Sequence, residues 1–473
     1  MKTWTKVTPS FIDTRWFTVL LSFLVALLSG LAGGLVPRVT WSLAGKEVFI
    51  LLALLGAWLV FSLSIVRFDF MVLANFCLFS LVRIEPAPTD MLVMLLLLMG
   101  LLTGRLSLKA LTGSSLVHLA LGGFLVANLV SLIYVSAVFE GARYLFITAY
   151  MIALVYFVKM YITSLQAMRT VMIGYLVSAT LAVSLVTFGY LGIGTELFVR
   201  YGTRAQGLFK DVNVFGPFLI LMIIFLIDEV LHPCIFRGLY PAKVLGIITL
   251  TTGVFLSGSR AAWGNLVLSL LVYFILVAKR ASRTKIIHLL SLFRARIVYL
   301  LTLLIVGLLV LVVLLTRPGF LEFIQAFVTE RARFQIYDTT RFARQIEGLN
   351  AGLTHLIGVG PGMWVEAHSL YVRAFAEHGI FGLVTLLLCL VVLSVGTFFR
   401  ALRESDKPYG LSAKVVFACL VGHLANSIVI DTIHWRHFWF ILGLSWVVIT
   451  VKGSTSSDCL VGSRGAECEM PSI

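Results

Sequence analysis

Solid apolar runs, rather than alternation, set the pattern of this chain. Residues 91–102 read MLVMLLLLMGLL without one polar side chain, and similar runs recur throughout. Many approach the roughly 20 residues that carry a helix through a hydrocarbon core about 30 Å thick. Candidate spans fall at 16–36, 47–66, 68–82, 90–103, 114–136, 143–161, 170–193, 214–231, 242–257, 261–279, 297–316, 379–399, 411–430 and 436–451. The two short runs, 68–82 and 90–103, are joined by Glu85-Pro86-Ala87-Pro88. They read as two spans or as a re-entrant pair, giving about fourteen or twelve crossings. A closed β-barrel would show period-2 segments instead.

Composition moves the picture the same way. Apolar residues make up 60% of the chain and charged ones 12%, about half the charge of a soluble domain. The expected fold is therefore all-α: a polytopic membrane protein of about 12–14 transmembrane helices with one large outer loop containing short helices. A soluble enzyme, a disordered tail and a disulfide-stapled secreted module are excluded. The net charge is +15, from 37 basic and 22 acidic residues. No basic stretch is interleaved with base-stacking aromatics in a soluble domain, so nucleic acid is not a partner.

Charge also orients the chain. Residues 279–296 (KRASRTKIIHLLSLFRAR) hold six Lys or Arg and no acid, the strongest inside signal in the sequence. The loops at 103–114 and 400–410 fall on the same side, and either span count is even. Both termini are thus expected in the cytoplasm, with Lys2, Lys6 and Arg15 preceding an uncleaved signal anchor. The opposite, outer face receives 37–47, 83–89, 137–142, 194–213, 258–260, 317–378 and 431–435. The expected organisation is transmembrane helices over 1–316, a large outer loop over 317–378 (periplasmic on the resemblance given below), C-terminal transmembrane helices over 379–452 and a cytoplasmic tail over 453–473. All six Cys (77, 234, 389, 419, 459, 468) fall outside the outer loops, so no disulfide is expected there.

The outer face carries more Arg than topology explains. The 317–378 loop alone has Arg317, Arg331, Arg333, Arg341, Arg344 and Arg373, and long polar loops between spans are usually functional. Gly358-Val359-Gly360-Pro361-Gly362 forces an irregular backbone and leads to His368, just before a span. Such a His suits a general base, since imidazole accepts a proton near neutral pH; a solvated His bonded to backbone is the plainer reading. Ser257-Gly258-Ser259-Arg260 sits between two spans, where Arg260 either snorkels or holds a phosphate. Asp211 or Asn213 is placed to cap the next helix. Arg341 and Arg344 open an amphipathic helix, 341–353, lying across the membrane face. Asp431-Thr432-Ile433-His434-Trp435-Arg436-His437 forms a polar knot between the last two spans. His434 and His437 stand three apart, but no HxxxH, HExxH or Cys cluster supports a metal.

These residues resemble a family. The Gly-rich stretch, His368-Ser369-Leu370-Tyr371 and Glu377-His378-Gly379-Ile380-Phe381-Gly382 look like the signature of the O-antigen ligase and polymerase superfamily. The resemblance extends to Gly207–Phe215, Ser257–Arg260 and the Arg341 segment, covering about residues 200–385 in order on one face. One departure is Lys210-Asp211-Val212-Asn213, where many members have Asp-Pro-Asn. The resemblance implies a bacterial inner-membrane glycosyltransferase that takes a glycan from undecaprenyl diphosphate and passes it to an acceptor hydroxyl in the periplasm. Neither metal, nucleotide nor other cofactor is implied. The acceptor would be lipid A–core for a ligase or a growing glycan for a polymerase, and the single large outer loop favours the ligase. On this reading His368 is catalytic, Arg260, Arg341 and Arg204 bind diphosphate, and Asp211, Asn213, Gly360, Tyr371, His434 and Arg436 support them. A transporter or flippase would need charged residues deep in its spans; the main polar groups near mid-span, Asn75, His118, Asn128 and Asn265, include none.

Overall fold

The computed structural model describes residues 60–83, 87–200, 203–278, 336–403 and 407–451, together with the single positions 56 and 329. Expected spans 16–36 and 297–316, most of 47–66, the basic loop 279–296, Arg317, Arg331, Arg333, and the 453–473 tail with Cys459 and Cys468 lie outside the described residues. Among the described residues the regular secondary structure is helical except for a two-residue ladder, β1 (Val199–Arg200) antiparallel to β2 (Arg204–Ala205). The helices are α1 (Phe68–Cys77), α2 (Pro88–Leu102), α3 (Ser115–Ser131), α4 (Val138–Tyr161), α5 (Leu165–Tyr190) and α6 (Val212–Leu231). They continue as α7 (Tyr240–Leu256), α8 (Arg260–Ala278), α9 (Ile336–Thr354), α10 (Leu370–Arg403), α11 (Ala413–Val429) and α12 (Arg436–Thr450). Six of these segments, α3 to α6, α8 and α10, are long and apolar enough to cross a membrane. The protein is an all-α polytopic membrane protein.

Helices dominate because a chain in lipid must satisfy its backbone polar groups internally. Starts follow local chemistry: Pro88 opens α2, and Ser164, Asp211 and Ser412 cap α5, α6 and α11 with side-chain oxygens. The short run 68–82 yields only the ten-residue α1, about 15 Å long and too short to cross alone. Beyond it the chain stays inside protein. Ser80 N–H and Oγ meet Ser178 on α5 at 2.8 and 2.9 Å, and Val82 and Arg83 N–H donate to Leu208 O.

The centre is formed by α6 and α12, apolar all round and buried from Phe215 to Leu226 and from Arg436 to Val448. Tyr175 stacks on Phe218 at 4.6 Å, and both lie against a group with Phe79 and Phe440. Lipid is as apolar as these side chains, so close packing and interhelical hydrogen bonds hold them together. The Tyr175 hydroxyl donating to Phe218 O at 2.8 Å is one such bond.

Polar residues gather at the two ends. At one end the Glu229 carboxylate accepts from Cys234, Ile235 and Phe236 N–H, and Lys407 pairs with Asp228 at 2.7 Å. Tyr273 donates to Asp228 at 2.8 Å. The loops at 232–238 and 407–411, expected on one side, are thus tied together. The other end carries the polar segments the sequence assigned to the opposite side.

Candidate active site

Three separate stretches of chain meet at this second end. Asp211 caps α6 by accepting from Asn213 N–H at 2.9 Å and from Asn213 Nδ2 at 3.1 Å. Asn213 Oδ1 in turn receives Arg204 Nη2 at 3.3 Å, while Arg204 Nε donates to Ser257 O at 3.0 Å. Arg204 therefore stitches β2 and the first turn of α6 to the Ser257–Arg260 turn. Arg260 is the exposed first residue of α8, three residues from the carbonyl that Arg204 holds.

The fourth stretch begins with α9, which runs Ile336–Thr354, longer at its start than the expected 341–353. Arg341, Gln345, Gly348 and Gly352 follow one helical face, spaced by one or two turns. Gly348 lies against Trp364 and Val372, and Gly352 against Phe375. Phe342, Ile346, Leu349 and Leu353 stay exposed beside them.

The Gly-rich turn docks as bare backbone onto α10. Val359 and Gly360 N–H donate to Ala376 and Glu377 O at 2.9 and 3.0 Å. These carbonyls are available because α10 breaks at Gly379 (φ 64°, ψ −166°). The break separates a short segment at 370–378 from the apolar segment expected to start at 379. At Gly360 (φ 102°) a Cβ would stand 2.0 Å from Val135 Cγ2, so only glycine fits between the turn and the end of α3. Its role in the geometry is packing.

Below the turn lies a buried ion-pair network. Arg373 Nε meets Glu377 Oε1 at 3.0 Å and Arg373 Nη1 pairs with Asp431. Glu377 Oε1 also accepts from Trp364 N–H at 3.0 Å. Tyr144 lies under the Arg373 guanidinium at 5.3 Å and beside the His434 ring at 5.4 Å. Burial, then the Arg373 charge, pushes His434 well below its ordinary pKa. Arg436 grips Asp90 with two bonds, one of 2.6 Å, and donates to Tyr150 at 3.1 Å. Arg344 pairs with Glu347 and Glu366 at 2.9 and 3.3 Å. Several outer arginines are thus answered by the protein's own acids, among them Asp90, far away in sequence. Tyr371 is likewise engaged, donating to Leu424 O at 3.0 Å.

His368 sits half-buried at the end of a single 3-10 turn (Val365–Ala367), itself left-handed at φ 49°. Burial and then Arg341 hold its imidazole below the ordinary 6.5, against the opposing pull of Asp431, Asp211 and Glu366. Charges from the Arg341 helix, the α6 cap and the 431 knot therefore all act on one imidazole. The two histidines that flank it in the chain differ. His378 is buried, edge-on to Phe124 and 3.4 Å from Ser131 Oγ; His355 is exposed and bonded to Ala351 O and Thr354 Oγ1. Lys210, the departure from the usual turn, is exposed, with its pKa lowered by partial burial and the Arg436 charge.

The sequence reading missed Gln345, Asp90 and the pairing of Arg373 with Glu377 and Asp431. Only the i,i+4 spacing of Arg373 and Glu377 could have hinted at the last. No curated protein matches the chain. Residues 245–387 match the protein family described as O-antigen ligase, a segment that includes Arg260, Arg341 and His368. Over that segment, about a third of its length, the chain is similar to the O-antigen ligase family of membrane proteins.

Proposed function

We propose that this protein transfers a glycan from undecaprenyl diphosphate to an acceptor hydroxyl on the periplasmic face of a bacterial inner membrane. The acceptor is lipid A–core, making it an O-antigen ligase. The observation that supports the reading is the 245–387 match to the O-antigen ligase family, within which Arg260, Arg341 and His368 all lie.

In the proposed reaction the acceptor oxygen attacks the sugar C1 while His368 takes its proton. The C1–O bond to diphosphate breaks, the electron pair leaves on the phosphate oxygen, and undecaprenyl diphosphate departs. Arg341, Arg260 and Arg204 balance the negative charge that builds up there, the kind of work preorganised guanidinium groups do best. Polyprenyl diphosphate is a good leaving group, so the reading requires neither a general acid nor a metal. Asn213, itself held by Asp211, and the Ser257 carbonyl hold Arg204, and Gly360, Tyr371, His434 and Arg436 shape the wall. In this reading 317–378 is the periplasmic loop bearing the catalytic segment, both termini are cytoplasmic, and the polar end faces the periplasm.

The test is deletion of the gene followed by gel analysis of lipopolysaccharide. Loss of all polymer from lipid A–core is the expected result. A single-repeat rung would make the enzyme a polymerase acting on a growing glycan, and an unchanged ladder would overturn both.

A further inference from the structure

His368 adopts a backbone conformation that a non-glycine residue rarely holds unless its surroundings impose it. Three restraints are visible. Trp364, four residues earlier, is pinned by its N–H to buried Glu377. Ser369, the next residue, bonds through Oγ to Ser427 O at 3.3 Å. The carbonyl of His368 itself is held by Gln345, whose Nε2 donates to it at 3.2 Å. The same nitrogen donates to Ile428 O at 3.3 Å. Ile428 lies in the last turn of α11, where carbonyls have no intrahelical partner.

One amide thus closes three segments on one another. Gln345 lies one turn after Arg341 on α9, His368 belongs to the Gly-rich segment, and Ile428 stands three residues before Asp431. Both neighbours are carbonyl oxygens, which only accept, so the NH2 group faces them and both its hydrogens are used. A planar NH2 with two diverging hydrogens suits this bridge. A carboxylate of the same shape has nothing to donate.

We infer that Gln345 is a positioning residue of this enzyme, fixing the His368 backbone so that its imidazole faces the acceptor hydroxyl and keeping it in register with the Arg341 helix. The inference rests on His368 being the base. Gln345 touches no reacting atom in this scheme. The helix keeps its seat without it, because Gly348 and Gly352 still pack on Trp364 and Phe375. Arg341 therefore stays in place when the bridge is cut, and the loss falls on the chemical step.

The experiment uses the full chain in liposomes, with undecaprenyl-diphosphate glycan and lipid A–core extracted from the host strain. Wild type is compared with Gln345→Met, which keeps the length, and Gln345→Glu, which keeps the shape and removes the donors. Both should lower kcat, by about 10- to 100-fold as for other small misplacements of a reacting group, with Glu the worse. The donor KM should stay within about twofold. The acid limb of kcat should move toward the ordinary imidazole value as the His368 turn relaxes. In a His368→Ala background, Gln345→Met should cost nothing further, because a residue acting through His368 has nothing left to position. An unmoved acid limb, an equal loss in both backgrounds, or wild-type turnover in Gln345→Glu would overturn the inference while leaving His368 as base. Where the His368→Ala rate is too low to compare, the acid limb decides. Full turnover in His368→Ala would instead remove the base itself, a failure of the underlying reading that needs no Gln345 variant to detect.

Discussion

At the scale of single residues, each proposed role carries its own signature. His368→Ala should lower the rate by about 10²–10⁴-fold, the usual contribution of a positioned base, in a chain that still folds. Near wild-type transfer by the purified variant would refute the assignment. Burial and Arg341 hold the imidazole below 6.5, so it stays neutral and able to accept a proton throughout the neutral range. The rate should therefore be flat at neutral pH and fall only as pH drops below 6.5, which a kcat profile reads directly. Arg260 and Arg341 make a different prediction. A partly dry Arg–phosphate contact contributes on the order of 1.5–3 kcal/mol, so Arg260→Ala and Arg341→Ala should weaken donor binding about tenfold or more. Arg260→Lys should fall between wild type and Ala, because the charge survives and the bidentate fork does not. Donor titration checks both, and unchanged affinity in the two Ala variants sinks the donor site.

At the scale of elements, the sequence was most legible where lipid makes the rules. Runs such as 212–231 and 260–278 must be apolar and helical, and their bounds were read to within a few residues. The Gly-rich turn, the 257–260 corner and the 431 knot were also visible as polar breaks between such runs. What the pattern could not hold was pairing at a distance. Arg436 looked like a residue in want of a ligand, yet its carboxylate is Asp90, 346 positions away. Gln345 looked like any polar position on an amphipathic helix, since nothing in its neighbours names the two carbonyls it bridges. Gly360 was singled out as a supporting residue in an irregular turn, but its neighbour was not legible: a backbone pressed against Val135. Gly360→Leu should therefore dislodge the whole Trp364–His368 turn and lower both activity and the thermal midpoint. Pairing it with Val135→Ala should recover part of each, since space returns while the positive φ remains unfavourable. Rescue of neither by the second change would contradict the packing account.

At the scale of the whole molecule, the polar end and the Asp228–Lys407 end sit at opposite limits of one helical bundle. On the proposed topology the basic 279–296 segment is cytoplasmic, which turns the Asp228–Lys407 end to the same side. Reporter fusions at 350 should be active in the periplasm and those at 288 inactive there; the reverse pattern would turn the site to the wrong compartment. The burial of α12 on every side has a further consequence, and it concerns time. A chain is made from its N-terminus, so this central helix emerges after α1 to α11, which must wait around an empty slot. Until Arg436 arrives, Asp90, about a quarter exposed even in the finished bundle, stands at the edge of that slot without its guanidinium partner. A chain stopped just before residue 436 should therefore be degraded rather than accumulate, which pulse-chase labelling would reveal. Asp90→Asn in the truncated chain should lengthen its half-life, because the waiting slot no longer holds a charge. Equal half-lives with and without Asp90→Asn would show that the unpaired acid is not what makes the unfinished bundle vulnerable.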